Sequence, residues 1–258
     1  MTADASPFVW YELMTTDPAA AAAFYRQAIG WSTADSGMPG MAYTILSAGT
    51  TGIGGLMALP DDARARGVPP NWTGYVGVAD VDAMAARVTA AGGAVHHPPA
   101  DIPGVGRFAV VADPHGAVFC LFKGNMDERP AQPPAGTPGT VGWHELYVND
   151  LDTAWAFYGT LFGWSKAEAM DMGEMGVYQL FAAGGPNAIG GMMKRPPQVP
   201  MACWLYYVNV EAIDAAIARV TGGGGKVVNG PTEVPGGSWI AQCIDPQGAM
   251  FAMVAPRR

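Results

Sequence analysis

Two glutamates, Glu12 and Glu145, stand in phrases that resemble each other: FVWYELMTTD from Phe8 to Asp17, and VGWHELYVND from Val141 to Asp150. In each, a tryptophan precedes the acid by two residues, Trp10 and Trp143, so on a strand each Trp-Glu pair shares one face. A carboxyl buried beside an indole loses hydration, which raises its pKa and readies it to take or give a proton near neutral pH. Such a base could abstract a proton next to a carbonyl and support isomerisation or epimerisation. The bland alternative is that each Glu accepts hydrogen bonds and pins its own fold, since a carboxylate is rarely buried without a partner. His144 adds an imidazole beside Glu145 and is a catalytic candidate. Alternation turns it to the opposite face, and its counterpart is Tyr11, so it is not a repeated element.

The elements that must position these groups are written twice. Asp17, Phe24-Tyr25 and Gly30-Trp31 recur 133 residues later as Asp150, Phe157-Tyr158 and Gly163-Trp164. Trp72, Tyr75 and Arg87 recur at an offset of 132 as Trp204, Tyr207 and Arg219, and Asp113-Pro114-x-Gly116-Ala117 returns as Asp245-Pro246-x-Gly248-Ala249. Each copy reads as strand, capped helix, further strands, then a second strand-led helix and more strands. The Pro- and Gly-rich segment 125–140 reads as a linker between domains 1–124 and 141–258.

With 258 residues, the chain is long enough for more than one core. Only 14% of residues are charged, yet no apolar run approaches the ~20 residues needed to span a bilayer. The opening MTADASPFVW lacks the basic stretch and apolar core of an export signal, so a cytoplasmic location is expected. Three cysteines, Cys120, Cys203 and Cys243, form no CxxC pair, which argues against a disulfide framework or a zinc knuckle. A net charge of −8 with no basic cluster disfavours nucleic acid and anionic lipid as partners. A small-molecule ligand is the expected partner, with the chain a monomer or homodimer.

Asp-x6-Phe-Tyr-x4-Gly-Trp after a first strand, a strand-led helix ending in Gly-Gly, and Asp-Pro-x-Gly-Ala before a final apolar strand resemble the vicinal oxygen chelate superfamily. This group includes glyoxalase I, bleomycin-resistance proteins and extradiol dioxygenases. The resemblance implies an α+β fold of four βαβββ modules, forming two cup-shaped mixed sheets with helices outside and a ligand inside the cup. It also implies metal ligands on the first and last strands of the modules. Those positions carry Trp10, Trp143, Cys120 and Ala252, with Thr73 and Leu205 near the remaining one. No metal site is therefore expected: a divalent ion is disfavoured and no cofactor is assigned.

With Trp10 and Trp143 turned into the cups, Glu12 and Glu145 face inward too. Trp72, Trp204, Tyr75, Tyr207, Tyr147 and Cys120 are the further candidates for lining a site that suits a flat, largely apolar ligand. Packing within the core is the alternative for each. His115, in Asp-Pro-His-Gly, reads as a solvent-facing turn residue. The expected function is glyoxalase-like binding of a small apolar or aromatic carbonyl compound, with metal-independent proton transfer of the lyase or isomerase kind. A sequestering protein of the bleomycin-resistance type is the alternative. A metal-dependent lactoylglutathione lyase or dioxygenase comes third.

Overall fold

A computed structural model describes residues 5–125 and 133–258. The first half runs β1 (Phe8–Thr15), α1 (Pro18–Ala28), β2 (Ser32–Asp35), β3 (Tyr43–Ala48), β4 (Thr51–Ala58), a short α2 (Asp61–Ala65), β5 (Asn71–Gly77), α3 (Val81–Ala90), β6 (Ala94–Ile102), β7 (Gly106–Ala112) and β8 (Val118–Gly124). The second runs β9 (Val141–Val148), α4 (Leu151–Phe162), β10 (Ser165–Asp171), β11 (Val177–Ala182), β12 (Gly190–Lys194), β13 (Cys203–Asn209), α5 (Ile213–Gly222), β14 (Lys226–Glu233), β15 (Trp239–Ile244) and β16 (Met250–Ala255). Two eight-stranded mixed sheets result, ordered β2-β3-β4-β1-β5-β8-β7-β6 and β10-β11-β12-β9-β13-β16-β15-β14. This is the expected α+β architecture.

The helices begin where their sequence dictates. Asp17, Asp80 and Asp150 each accept a backbone N–H three residues on, from Ala20, Ala83 and Thr153 at 3.0, 2.9 and 2.8 Å. Gly163 ends α4 in the left-handed region at φ 65°, where a Cβ would be strained. The repeated arginines bond carbonyls at or near the helix C-termini: Arg87 donates to Thr160 O at 3.1 Å and Arg219 to Ala28 O at 2.9 Å.

Packing groups the chain differently from a split at the linker. One compact unit takes the described residues of Trp10–Thr73, Gln132–Trp143 and Leu205–Arg258, and the other those of Met1–Val9, Gly74–Ala131 and His144–Trp204. The packing units are thus not the sequence halves 1–124 and 141–258. The reason is that the four longer helices pack across the halves, α1 with α5 and α3 with α4. Within the expected linker, residues 126–132 lie outside the described residues. The part after them is anchored, because Gly139 O accepts the Trp31 indole N–H at 2.7 Å. Trp164 donates equivalently to Ser6 O at 2.7 Å in the other unit.

A buried polar network recurs in each unit. In one, the Trp72 indole donates to Tyr25 Oη at 2.8 Å, and Tyr25 donates to Asp245 Oδ2 at 3.1 Å. Asp245 Oδ1 accepts the backbone N–H groups of Gln247 and Ala249 at 2.9 and 2.8 Å. In the other unit, Trp204 donates to Tyr158 at 3.1 Å and Tyr158 to Asp113 Oδ2 at 3.2 Å, with His115 and Ala117 N–H groups on Oδ1. Burial pushes both aspartates above the usual carboxylate range, and the hydrogen bonds offset part of that cost. His115 is half-buried, with Nε2 shut away from water, not the solvent-facing turn residue expected. Pro114 and Gly116 fix the backbone of this turn, but its side chain is enclosed by packing.

Tyr25→Phe removes the hydroxyl that links Trp72 to Asp245 and leaves a half-buried indole and a buried carboxyl each short of a partner. The expected loss is about 1–3 kcal/mol in urea denaturation, with a similar loss for Tyr158→Phe. Unchanged midpoints in both variants would show that the network contributes little.

Candidate functional site

The face of each sheet opposite the helices carries the acids. In β9, Glu145 is 8% exposed and Tyr147 donates its phenol to Glu145 Oε2 at 2.5 Å. Tyr147 is two residues on, so alternation alone places it on the same face. Glu145 pairs in register with Gly191 of β12 and Tyr147 with Met193. A Cβ at Gly191 would fall 2.3 Å from Tyr178 Cζ, so glycine is what lets the Tyr178 ring lie against the strand beside the acid. The Cys203 thiol is pushed up to about 11, first by burial and then by the Glu145 carboxylate. It is a neutral group at ordinary pH, not a nucleophile.

The other acid has a related but different setting. Glu12 is 9% exposed and pairs with Gly55 of β4, where a Cβ would meet Tyr43 Oη at 2.0 Å. Trp10 donates its indole N–H to that same Tyr43 hydroxyl at 2.9 Å. At the place of Tyr147 stands Met14.

Tyr43 and Tyr178 were not among the sequence candidates. Their signal is faint, YTIL against YQLF, and the spacing of 135 differs from the 133 of the preceding helices because the intervening loops differ in length.

Several expected site residues lie elsewhere. Trp72 and Trp204 turn to the helix side, where their indoles hold Tyr25 and Tyr158. Tyr75 and Tyr207 stand three residues further along the same strands and take the opposite face, so the expected grouping of all four as one lining is corrected. Tyr75 pairs in register with Cys120, both buried, and Tyr207 accepts from Gln242 at 2.8 Å. Trp72 borders a small apolar cavity of about 10 Å³ with Tyr11, Trp31 and Tyr206, room for roughly one water and no organic ligand. His144 also faces the helix side, away from Glu145. Its Nδ1–H donates to Ile189 O at 2.7 Å and its ring stacks on Phe8 at 4.3 Å. Burial lowers it to about 4, so it is a neutral imidazole at ordinary pH.

The positions that the resemblance matches to metal ligands do not suit a divalent ion. An indole nitrogen at Trp10 or Trp143 has no lone pair to give, and Ala252 and Leu205 offer none. Thr73 donates its hydroxyl to Asn71 Oδ1 at 2.9 Å. Among the described residues, no three His, Cys, Asp or Glu side chains gather as a metal would need.

Paired mixed sheets, each with an acid opposite its helices, define a glyoxalase-type fold. The sequence pattern of the Glyoxalase/Bleomycin resistance protein/Dioxygenase superfamily matches residues 8–121 and again 140–253, and the chain belongs to that superfamily. It is 33% identical over 250 residues to "Putative glyoxylase CFP32" of Mycobacterium tuberculosis (strain CDC 1551 / Oshkosh), covering 96% of this chain and 94% of the relative. It is also 33% identical over 266 residues to the anthracycline biosynthesis protein DauV of Streptomyces sp. (strain C5), covering 96% and 92%. Among solved structures, the Mn(II)-bound glyoxalase from Novosphingobium aromaticivorans superposes with a TM-score of 0.64 at 16% identity, over 98% of this chain and 82% of the other. The 2,3-dioxygenase LapB from Pseudomonas sp. KL28 gives 0.64 at 12% identity, over 99% and 93%. These likenesses are of fold.

Two outcomes follow. Since His144 titrates near 6.5 when unfolded and about 4 when folded, its contribution to stability is full above 6.5 and declines as pH falls toward 4. Thermal midpoints of His144→Phe should therefore fall less steeply than wild type across that window, and parallel curves would refute the assignment. Gly191→Ala should cost about 1–3 kcal/mol by displacing Tyr178, and Tyr178→Ala in the same chain should recover part of it. Additive losses in the double variant would show that the two residues do not interact.

Proposed function

We propose that the chain binds a small, largely apolar or aromatic carbonyl compound and moves a proton on it without a metal, as a lyase or isomerase would. The observation that carries this is the 2.5 Å hydrogen bond from Tyr147 to the buried Glu145 carboxylate. Glu145 takes a proton from the carbon next to the carbonyl, and the C–H electron pair moves into the enolate. The acid then returns the proton. Tyr147 holds Oε2 and fixes the direction in which the carboxyl acts. The flat ring of Tyr178 over Gly191 and the apolar Met193 beside it suit a planar substrate. The relatives named for anthracycline biosynthesis and as a glyoxylase support an aromatic, carbonyl-bearing ligand.

A second reading, sequestration without turnover, is favoured by Glu12. The same scaffold there keeps an acid, a tryptophan and a tyrosine but places Met14 where Tyr147 would stand.

The probe is 1-tetralone in D₂O, with binding read by tryptophan fluorescence and deuterium entry at C2 by NMR. Wild type should accelerate exchange, Glu145→Gln should lose at least about 100-fold of that acceleration, and Tyr147→Phe should lose less. Binding with exchange at the solvent rate would overturn the catalytic reading in favour of sequestration. Absence of both would overturn the ligand class.

A further inference from the structure

The row of residues that starts at the acid ends on a cation. Glu145 pairs in register with Gly191 and Tyr147 with Met193, and the ladder runs on past them, since the Arg195 N–H donates to Val148 O at 2.7 Å. Alternation along this edge therefore puts Gly191, Met193 and Arg195 on the face of Glu145. The side chain agrees: Arg195 Nε donates to Oδ1 of Asn149, two residues after Tyr147, at 3.2 Å. Arg195 and Glu145 also act on one thiol, because burial and then the Glu145 carboxylate raise Cys203 while Arg195 pulls it back down. At about 3.3 Å per residue, the four steps from Gly191 set the Arg195 backbone about 13 Å along the strand from the acid. All of these residues belong to one packing unit.

Arg195 is half-buried, and its protein partners are neutral. Nη1 donates to Val199 O, so two of the five guanidinium N–H groups are engaged, both with uncharged oxygens. Arg66, Arg107 and Arg258 each meet an aspartate, whereas Arg195 meets no carboxylate among the described residues. Packing does not ask for the charge. At the same place in the first half stands Leu59, 3% exposed, whose N–H makes the equivalent bond to Thr15 O at 2.8 Å. We propose that Arg195 anchors a carboxylate on the far end of the ligand, so that the compound taken is an aromatic keto acid. This rests on the function proposed above, which seats the carbonyl end at Glu145. The planar guanidinium fork matches the two oxygens of a carboxylate. Glu145 repels that same group, so the acid and the cation together set the direction in which the ligand lies.

The test measures binding of three probes by titration calorimetry: 1-tetralone, 6-carboxy-1-tetralone and the methyl ester of the latter. Wild type should bind the carboxylate more tightly than the ester, and added salt should narrow the difference. Arg195→Leu, which installs the residue of the first half, should weaken the carboxylate by about ten- to a hundredfold and leave the ester unchanged, as expected for a lost charge-assisted hydrogen bond. Arg195→Lys should keep part of the preference. Lys194→Gln removes the same charge one residue away and is the control; it should leave the preference intact. Equal loss of carboxylate and ester in Arg195→Leu would mark Arg195 as a brace for residues 196–202 through Val199, and would overturn the proposal. Wild-type affinity of that variant for the carboxylate would do the same. If wild type binds 1-tetralone but prefers neither carboxylate nor ester, only the anion site fails. If it binds none of the three, the ligand class itself fails and this site falls with it.

Discussion

Each unit is organised around a buried aspartate that accepts a tyrosine from a helix of the other sequence half. Asp245 holds Tyr25 and Asp113 holds Tyr158, and in each case a tryptophan donates to the same phenol. A carboxylate in such surroundings is tolerated only when its lone pairs are filled, and two backbone N–H groups of its own turn complete the set. The Asp-Pro-x-Gly turn, the helical tyrosine and the strand tryptophan therefore come as one requirement, and losing any member leaves the others buried and short of a partner. The packing across halves follows from it.

That constraint also separates architecture from chemistry. The motifs that announce the family are engaged on the helix side: the capping aspartates, Phe-Tyr, Gly-Trp, Trp72 with Trp204, the arginines, and Asp-Pro-x-Gly-Ala. The opposite faces are released from this duty and differ between halves. Glu145 gains Tyr147 where Glu12 has Met14, and Gln242 with Asn229 replaces Val110 with His97. Where the copies disagree on these faces the shared packing does not dictate the residue, while Glu12 and Glu145 with their tryptophans are kept in both.

Much of the fold was legible in the chain. The internal repeat counted the modules, capping aspartates located helix starts, and period-two alternation put Glu12 and Glu145 on the face away from His144. The same alternation, applied to the second-module strands, separates Trp72 from Tyr75 and Trp204 from Tyr207. The expected aromatic lining failed because four aromatics were grouped by recurrence and not by parity. Tyr43 and Tyr178 escaped notice since nothing local says that a ring will fold over a glycine one strand away. That contact depends on sheet register, which the sequence carries only through the summed pattern of both strands.

By itself the sequence determined the family, the order of strands and helices, and which acids stand beside which tryptophans, because these rest on local periodicity and on residues written twice. Only the tertiary structure decided which elements pack together, that His144 is a buried neutral imidazole on Phe8, and that Tyr147 bonds Glu145. Burial and hydrogen-bond pairing are properties of neighbours brought together from distant parts of the chain, as Tyr25 and Asp245 are across 220 residues. No spacing along the chain encodes them.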